Sequence, residues 1–228
     1  MSITAALGEV RARIRAAALA SQRPADSVTL VAVSKLQPAQ AVREAYAAGQ
    51  RDFGENYVQE LAQKAEALRD LTELRWHLIG HLQRNKAKQV VGLVSLVHTV
   101  DSLELARELA KRRSGVGPEP LPVLIEISIA GEAQKHGAAP AELAELCDGI
   151  EALPALRLRG LMCVPPLTDE PAKARSHFDA LVELRERHGG AARLPELSMG
   201  MTQDLEHAIA AGATLVRVGT AIFGARSA

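Results

Sequence analysis

The feature that most constrains the fold of this chain is a regular alternation of short apolar runs with longer segments rich in Ala, Leu, Glu and Arg. This alternation is typical of repeated β–α units around a parallel sheet. Eight apolar runs begin near Val28, Arg51, Arg75, Ser95, Leu121, Leu156, Leu194 and Thr214. Because each is followed by a helix or a helical turn, the pattern predicts an α/β fold of the (β/α)8 or TIM-barrel type.

The helical segments complete this pattern. Those that follow strands are predicted at 39–48, 57–68, 103–113, 140–150, 172–188 and 204–211. An extra N-terminal helix is predicted from the helical spacing of Leu7, Val10, Ile14 and Ala18. The 228 residues leave little room for a second domain, so we expect one barrel domain over 1–228. An open doubly wound sheet is the alternative, but no G-x-G-x-x-G fingerprint follows the first strand.

Composition excludes several classes of function. The 27 basic residues balance 27 acidic ones, which disfavours a nucleic-acid or membrane-surface partner. Cys147 and Cys163 lack a C-x-x-C spacing, so neither a disulfide framework nor a zinc framework is expected. Without a signal peptide or a long apolar stretch, we expect a cytoplasmic protein.

Lys35 is the most informative single residue. It follows the run 28–33, which is almost wholly apolar and β-branched, as in a strand buried on both faces. Its position is therefore the carboxyl end of a barrel strand, where such folds bind ligands. The side chain either lays its methylene stem along the rim, or is partly desolvated and forms a Schiff base with a carbonyl group.

Polar and glycine residues follow the other strands as well. They fall at 54–57, 80–86, 101–102, 131–137 (with Lys135 and His136), 162–166, 198–202 and 219–220. Because the carboxyl ends of barrel strands share one rim, these segments are expected to meet there with Lys35.

The segments after the seventh and eighth strands predict a phosphate site. Barrels often bind phosphate at these two places, and Ser198, Gly200, Gly219 and Thr220 have suitable hydroxyl groups or accessible backbone N–H groups. The alternative is that Thr202 caps a helix while Gly219 and Thr220 form an ordinary turn.

Arg217 is the third element. Alternation within 215–218 points its side chain into the barrel, where a buried guanidinium needs a partner, such as an interior salt bridge. A lysine, a phosphate site and an arginine on one rim are also the parts that hold pyridoxal 5'-phosphate, through an imine, a phosphate anchor and a partner for the pyridine nitrogen.

Several long blocks resemble the pyridoxal phosphate homeostasis proteins, also called proline synthase co-transcribed proteins, which are single-domain relatives of the alanine racemase barrel. The matching blocks are VAVSK (31–35), FGENYVQE (53–60), WHLIGHLQRNK (76–86), RGLM (159–162), LSMGM (197–201) and VRVGTAIFG (216–224). The resemblance covers 28–226. Leu36 departs from it, because family members often have a threonine after the lysine.

The resemblance implies specific roles. Lys35 carries the cofactor as an internal aldimine, and Arg217 faces the pyridine nitrogen. The phosphate is held by Ser198, Gly219 and Thr220, and the cofactor is lined by Asn56, His81 and Met199. No metal ligand is implied. For His77, His81 and His98, no carboxylate or cysteine spacing supports zinc.

Function follows from what the chain lacks. Alanine racemases place a tyrosine base from a second domain opposite the lysine, and there is no room for that domain here. Tyr46 and Tyr57, the only tyrosines, are predicted to lie mid-helix and at the start of an outer helix. We therefore predict a protein that is not an enzyme, has no catalytic residues, and holds pyridoxal phosphate for intracellular vitamin B6 homeostasis with little or no turnover.

Its predicted partners are the cofactor, free amino acids and pyridoxal-phosphate-dependent apoenzymes, and its predicted state is a monomer or weak dimer. Two alternatives remain open. One is an amino-acid racemase that uses His81, Lys135 or Cys163. The other is an aldolase-like phosphosugar barrel, in which Lys35 forms a Schiff base with the substrate instead.

Overall fold

Hydrogen bonding between the first and last strands closes the sheet of this chain. A computed structural model describes residues 2–129, 136–166 and 170–224. Its parallel strands are β1 (Thr29–Val33), β2 (Asp52–Glu55), β3 (Arg75–Leu78), β4 (Leu96–Val100), β5 (Leu121–Glu126), β6 (Leu156–Met162), β7 (Glu196–Ser198) and β8 (Leu215–Val218). They run in sequence order around a closed barrel, and this confirms the predicted fold.

Helices surround the barrel on its outer face. They are α1 (Ile3–Ala20), α2 (Ala39–Ala47), α3 (Val58–Ala67), α4 (Ala87–Val90), α5 (Leu103–Arg113), α6 (Leu143–Glu151), α7 (Arg175–Arg187), α8 (Gly190–Arg193), α9 (Leu205–Ala211) and α10 (Thr220–Phe223). Short 3₁₀ turns lie at Arg84–Lys86, Pro140–Glu142 and Pro171–Ala174. Among the described residues, no helix has the length and apolar character needed to cross a membrane.

The predicted extra helix is α1. The hydroxyl of Ser2 accepts a hydrogen bond from the backbone N–H of Ala5, which is a typical N-cap contact. The apolar face of the helix is buried and consists of Ala6, Leu7, Val10, Ile14 and Ala18. The helix contacts α2, α9 and α10, so it lies over the junction between the first and last units of the barrel.

Apolar side chains form two layers on the two faces of the strands. The inner layer fills the barrel and contains Val31, Leu96, Leu124, Met162 and Leu215. The outer layer lies between strands and helices and includes Phe53 and Trp76, which are register partners on β2 and β3 with ring centroids 6.0 Å apart. Burial on both faces explains why the strands read as nearly continuous apolar runs.

Gly160 marks an irregularity in β6. The register between β5 and β6 shifts there, so that Leu124 pairs with Gly160 directly after Val123 pairs with Leu158. A Cβ atom on Gly160 would lie 1.8 Å from the carbonyl oxygen of Glu196 on β7. Only glycine allows the β6 backbone to approach β7 this closely at the bulge.

We predict opposite effects on stability for two glycine-to-alanine substitutions. Gly160→Ala should lower the free energy of unfolding by about 3 kcal/mol or more, because the new methyl group meets backbone atoms. Gly8→Ala, inside α1 with no atom within 4 Å of the added Cβ, should raise it by roughly 0.5–1 kcal/mol. Urea unfolding of both variants measures the two changes, and a Gly160→Ala protein as stable as the parent would contradict the first.

Candidate cofactor site

Barrel closure brings the predicted lysine and the predicted phosphate loop to adjacent strand ends. Strand β1 pairs with β8, with Val31 opposite Arg217, and Lys35 lies two residues after the end of β1. A Cβ atom on Gly219 would lie 3.1 Å from the carbonyl oxygen of Val33. The half-buried Lys35 therefore leaves β1 beside the turn that leads from Gly219 to Thr220 and into α10.

A buried ammonium group holds the backbone just before Lys35. The Nζ atom of Lys64, on α3, donates hydrogen bonds to the carbonyl oxygen of Ser34 (2.6 Å) and to carboxylate oxygens of Glu55 (2.7 Å) and Glu60 (2.7 Å). The hydroxyl of Ser34 also donates to Glu55, at 2.7 Å. Burial raises the pKa of Glu55, and the bond from Lys64 opposes that shift.

The backbone just after Lys35 is held by the same cluster. Leu36 has a φ of +62°, in the left-handed region that costs a non-glycine residue about 1 kcal/mol. Its N–H donates to the carboxylate of Glu60 at 2.6 Å, which compensates for this strain. The backbone on both sides of Lys35 is thus held by hydrogen bonds. The Leu36 side chain itself is 58% exposed.

Sequence reasoning missed Lys64. Glu55 pairs with a lysine inside α3, whose N-cap, Tyr57, has no side-chain capping bond. The sequence did contain a signal for this contact. Lys64 has helical spacing with the apolar residues Leu61 and Leu68, so it lies on the buried face of α3.

Arg217 points into the barrel, as alternation along β8 predicted. It is 5% exposed, and its Nη1 and Nη2 groups donate to the hydroxyl of Ser198 (2.6 Å) and to the carbonyl oxygen of Cys163 (2.9 Å). Its backbone N–H donates to the carbonyl oxygen of Gly200, at 3.0 Å. Among the described residues, the hydrogen-bond acceptors of the Arg217 side chain are therefore neutral oxygens. The sequence had also allowed a salt bridge inside the barrel.

Ser198 and Met199 lie at the end of β7. The hydroxyl of Ser198 is fully buried and contacts Arg217 and the Nδ1 atom of His98, at 2.8 Å. It faces the barrel interior, so the phosphate contact predicted for this hydroxyl stays a prediction. Met199 is also fully buried, and its N–H donates to the carbonyl oxygen of Leu215 at 3.1 Å.

Asn56 follows β2 and carries an unsatisfied polar atom. Its side-chain Oδ1 is buried and has no hydrogen-bond partner among the described residues. Gly80 lies against it, since a Cβ atom on Gly80 would be 2.3 Å from the carbonyl oxygen of Asn56. An unpaired amide oxygen in a buried position is costly unless a further donor reaches it, as a bound ligand can.

His81 lies at the exposed part of the rim. Its ring stacks on that of His136 at 3.6 Å, and its Nδ1 is 3.5 Å from the carboxylate of Asp101. Ligand-type atoms of these three residues lie within 4.8 Å of one another, as zinc ligands can. The sequence had shown no such spacing, because the three residues follow different strands. The expectation of no metal site is untested, and Lys135 lies outside the described residues.

Glu126, at the end of β5, is a rim residue that sequence reasoning overlooked. Its side chain is buried, and its Oε2 has no hydrogen-bond partner in the described part of the chain. Burial raises its pKa to about 7, and the charge of Asp101 adds to the shift while that of Arg217 opposes it. The signal was the same as for Lys35, a charged residue at the end of an apolar strand run.

Other residues considered from the sequence are poorly placed for proton transfer. Burial raises the pKa of the Cys163 thiol to about 12, so the thiol stays protonated at neutral pH. Tyr57 is 53% exposed at the start of α3. Tyr46 lies on α2, where the guanidinium of Arg51 packs 4.0 Å from the centre of its ring.

Together, the closed barrel and a rim lysine beside an interior arginine define the class of protein. The family model "Alanine racemase, N-terminal domain" matches residues 6–227. Within that class, the chain belongs to the pyridoxal phosphate homeostasis protein family, and this confirms the resemblance seen in the sequence. It is 49% identical over 221 residues to such a protein from Pseudomonas aeruginosa (96% of this chain, 94% of the relative) and 46% identical over 226 residues to one from Escherichia coli (96% and 95%).

Solved structures with a similar fold include the following two. The structure of PipY from Synechococcus elongatus, with PLP bound, is similar with a TM-score of 0.79 and 42% identity, covering 93% of this chain and 99% of that one. Alanine racemase from Corynebacterium glutamicum shares the fold, with a TM-score of 0.69 and 17% identity, and the match covers 97% of this chain and 62% of that one.

We predict that Glu126→Gln changes how stability depends on pH. Well below pH 4.5, Glu126 is protonated in both the folded and the unfolded protein. As the pH rises to about 7, the unfolded protein ionises first, so the free energy of unfolding falls. The variant should therefore gain stability relative to wild type between pH 5 and pH 8, by roughly 3 kcal/mol at most. Thermal unfolding of the cofactor-free proteins at both pH values measures this difference.

Glu9→Gln, on the exposed face of α1, is the matched control and should show the same difference from wild type at both pH values. A Glu126→Gln profile parallel to that of wild type would show that Glu126 ionises normally.

Proposed function

We propose that this protein holds pyridoxal 5'-phosphate through a reversible imine with Lys35, and that it maintains the intracellular supply of this cofactor with little or no turnover. The observation that carries the proposal is the position of Lys35. It lies two residues after Val33, whose carbonyl oxygen packs against Gly219, and it follows the strand that pairs with the strand of Arg217. The names of the relatives, and the presence of PLP in the PipY structure, support the choice of cofactor.

In this proposal, the phosphate binds at the turn between β8 and α10. The first N–H groups of a helix have no acceptor within it, and in this proposal those of Thr220 and Ala221 donate to the phosphate. The Thr220 hydroxyl is exposed and can also donate to a phosphate oxygen. Because the Ser198 hydroxyl already contacts two interior groups, we assign its main role to the support of Arg217.

The residues at the rim fit a flat, polar cofactor. A side chain at Gly80 would collide with the backbone, and one at Gly219 would press against β1. Glycine at these two positions leaves space at the rim. The orphaned amide oxygen of Asn56 would gain a partner from a bound group. His81 and Met199 complete the predicted lining, the former exposed and the latter buried.

Arg217 determines which chemistry is favoured. Bound pyridoxal phosphate supplies an aldehyde that forms imines with amines and a ring that can withdraw electrons. A guanidinium beside the pyridine nitrogen disfavours protonation of that nitrogen, because two positive charges would lie close together. The ring is then a weaker electron sink, which favours holding the cofactor over bond breaking at a substrate carbon.

An imine at Lys35 also supports the partners predicted from the sequence. Imines exchange with other amines, so free amino acids or the lysines of apoenzymes can take the cofactor from Lys35. We propose one barrel domain over residues 1–228, acting in the cytoplasm as a monomer or weak dimer.

An amino-acid racemase is the second candidate, and His81 is the observation that favours it. The imidazole is exposed at the rim and has the Asp101 carboxylate 3.5 Å away, an arrangement that supports a general base. An aldolase-like phosphosugar barrel has less support, because the relatives are named for pyridoxal phosphate.

We predict that Lys35→Ala abolishes covalent binding. Wild-type protein mixed with pyridoxal phosphate should show a visible imine band, and borohydride should fix the cofactor on the peptide that contains Lys35. The variant should show neither, because the reacting amine is missing. Absorption spectra and peptide mass spectrometry make the measurement, with Lys111→Ala on the exposed face of α5 as the control that keeps both signals. An unchanged band in Lys35→Ala would refute the role of this lysine.

A second prediction concerns turnover. The loaded wild-type protein should convert L-amino acids to their D-forms at no more than the rate of free pyridoxal phosphate, because the described residues offer no tyrosine opposite Lys35. Chiral chromatography of long incubations measures the rate. Saturable racemisation that His81→Asn removes would establish the racemase instead.

A further inference from the structure

A chain of polar side chains crosses the inside of the barrel from Asp52 to Arg217. Asp52 Oδ1 lies 3.1 Å from His77 Nε2, and His77 Nδ1 lies 2.9 Å from His98 Nε2. His98 Nδ1 is 2.8 Å from the Ser198 hydroxyl, which Arg217 Nη1 reaches at 2.6 Å. These residues come from five strands, and none is more than 8% exposed.

The two ends of the chain determine the direction of every hydrogen bond in it. An ionised carboxylate only accepts and a guanidinium only donates. His77 must therefore carry a hydrogen on Nε2 to donate to Asp52, and in the neutral ring its Nδ1 is then an acceptor. His98 then donates from Nε2 and accepts at Nδ1, the Ser198 hydroxyl donates to His98, and its oxygen accepts from Arg217.

The charge states required for this direction agree with the surroundings. Burial opposes ionisation of Asp52, but hydrogen bonds from Arg75 and His77 together lower its pKa to about 2, so it is a carboxylate at neutral pH. Burial lowers the pKa of His98 well below its usual value, and the charge of Arg217 adds to the shift, so this imidazole is neutral.

The reverse arrangement leaves hydrogen bonds unmade. A hydrogen on Nδ1 of His77 would either turn a lone pair toward the Asp52 carboxylate or, with Nε2 also protonated, make His77 a buried cation. It would also force the Ser198 oxygen to accept from both His98 and Arg217, with no acceptor in the chain for its own hydrogen. Buried polar groups without partners are costly, so the single consistent direction is strongly favoured.

We propose that Asp52, His77 and His98 are positioning residues that fix the Ser198 hydroxyl, and through it Arg217, in one orientation toward the cofactor. Both imidazoles are then neutral and protonated on Nε2. The part of this inference that concerns the cofactor rests on the proposed function, whereas the hydrogen-bond direction concerns the protein alone. The inference also explains why the Ser198 hydroxyl turns inward instead of toward the phosphate turn.

The chain has a specific consequence for Arg217. A buried guanidinium that loses one acceptor either leaves an N–H unsatisfied or rotates to find another, and both disturb its match to a planar ligand. The carbonyl oxygen of Cys163 alone cannot fix the plane of the side chain. The Ser198 hydroxyl supplies the second contact, and His98 fixes the direction of that hydroxyl.

The first test needs no cofactor. Long-range ¹H–¹⁵N spectra of histidine-labelled protein at neutral pH should show the Nε2-protonated tautomer for both His77 and His98, assigned from the signals lost in His77→Gln and His98→Gln. A doubly protonated ring, or an Nδ1-protonated tautomer at either residue, would overturn the proposed direction.

The second test measures the dissociation constant of pyridoxal phosphate for two variants of His98. His98→Phe keeps a planar ring but breaks the chain, and should weaken binding about ten-fold, as expected for loss of one charge-assisted contact. His98→Gln retains one acceptor and one donor and should stay within about three-fold of wild type. His177→Phe, on the outer helix α7, is the control and should bind as wild type does.

The outcomes separate the two proposals. If His98→Phe does not fold, Asp52→Asn tests the chain from its other end, and it should change the His77 tautomer and weaken binding. Equal binding by His98→Phe and wild type would rule out a positioning role. If wild type binds no pyridoxal phosphate, the proposed function fails, while the tautomers still decide the direction of the chain.

Discussion

Pairing between β1 and β8 is the contact on which the candidate site depends. It joins strands that are far apart in the sequence, and it closes the barrel of eight β–α units. Val33, two residues before Lys35, then packs against Gly219. Such long-range pairing carries a large cost in loop-closure entropy, and α1 reinforces it by packing on α2, α9 and α10. The rim that contains Lys35 therefore depends on closure of the barrel.

Two buried polar systems distinguish this barrel from a purely apolar one. Lys64 and its carboxylates fix the backbone on both sides of Lys35, and the chain from Asp52 to Arg217 runs through the interior layers. Burying charges is costly, and each system is tolerable because its members hydrogen-bond to one another. Both systems lead to the rim, where they orient one amine and one guanidinium. Rigidity at these two points is what a protein needs to hold a small planar molecule through few contacts.

Much of the fold could be predicted from the sequence, because parallel strands buried on both faces give nearly continuous apolar runs. The strand starts, the extra helix and the inward direction of Arg217 follow from runs and alternation alone. What could not be read depends on contacts between distant elements. Lys64 reaches the barrel from a helix, the Ser198 hydroxyl turns inward on a strand of three residues, and His81 meets Asp101 only through loop geometry. Glu126 is different, because its position carried the same signal as Lys35 and was overlooked.

The aromatic pair in the barrel wall has a practical consequence. Trp76 is the only tryptophan of the chain, is 6% exposed, and packs beside Phe53. The tryptophan emission of the protein therefore comes from one buried indole. Any near-ultraviolet absorber held at the rim of so small a barrel would quench that emission by resonance energy transfer. The chain thus contains its own optical reporter of occupancy, readable without a label and without disturbing Lys35.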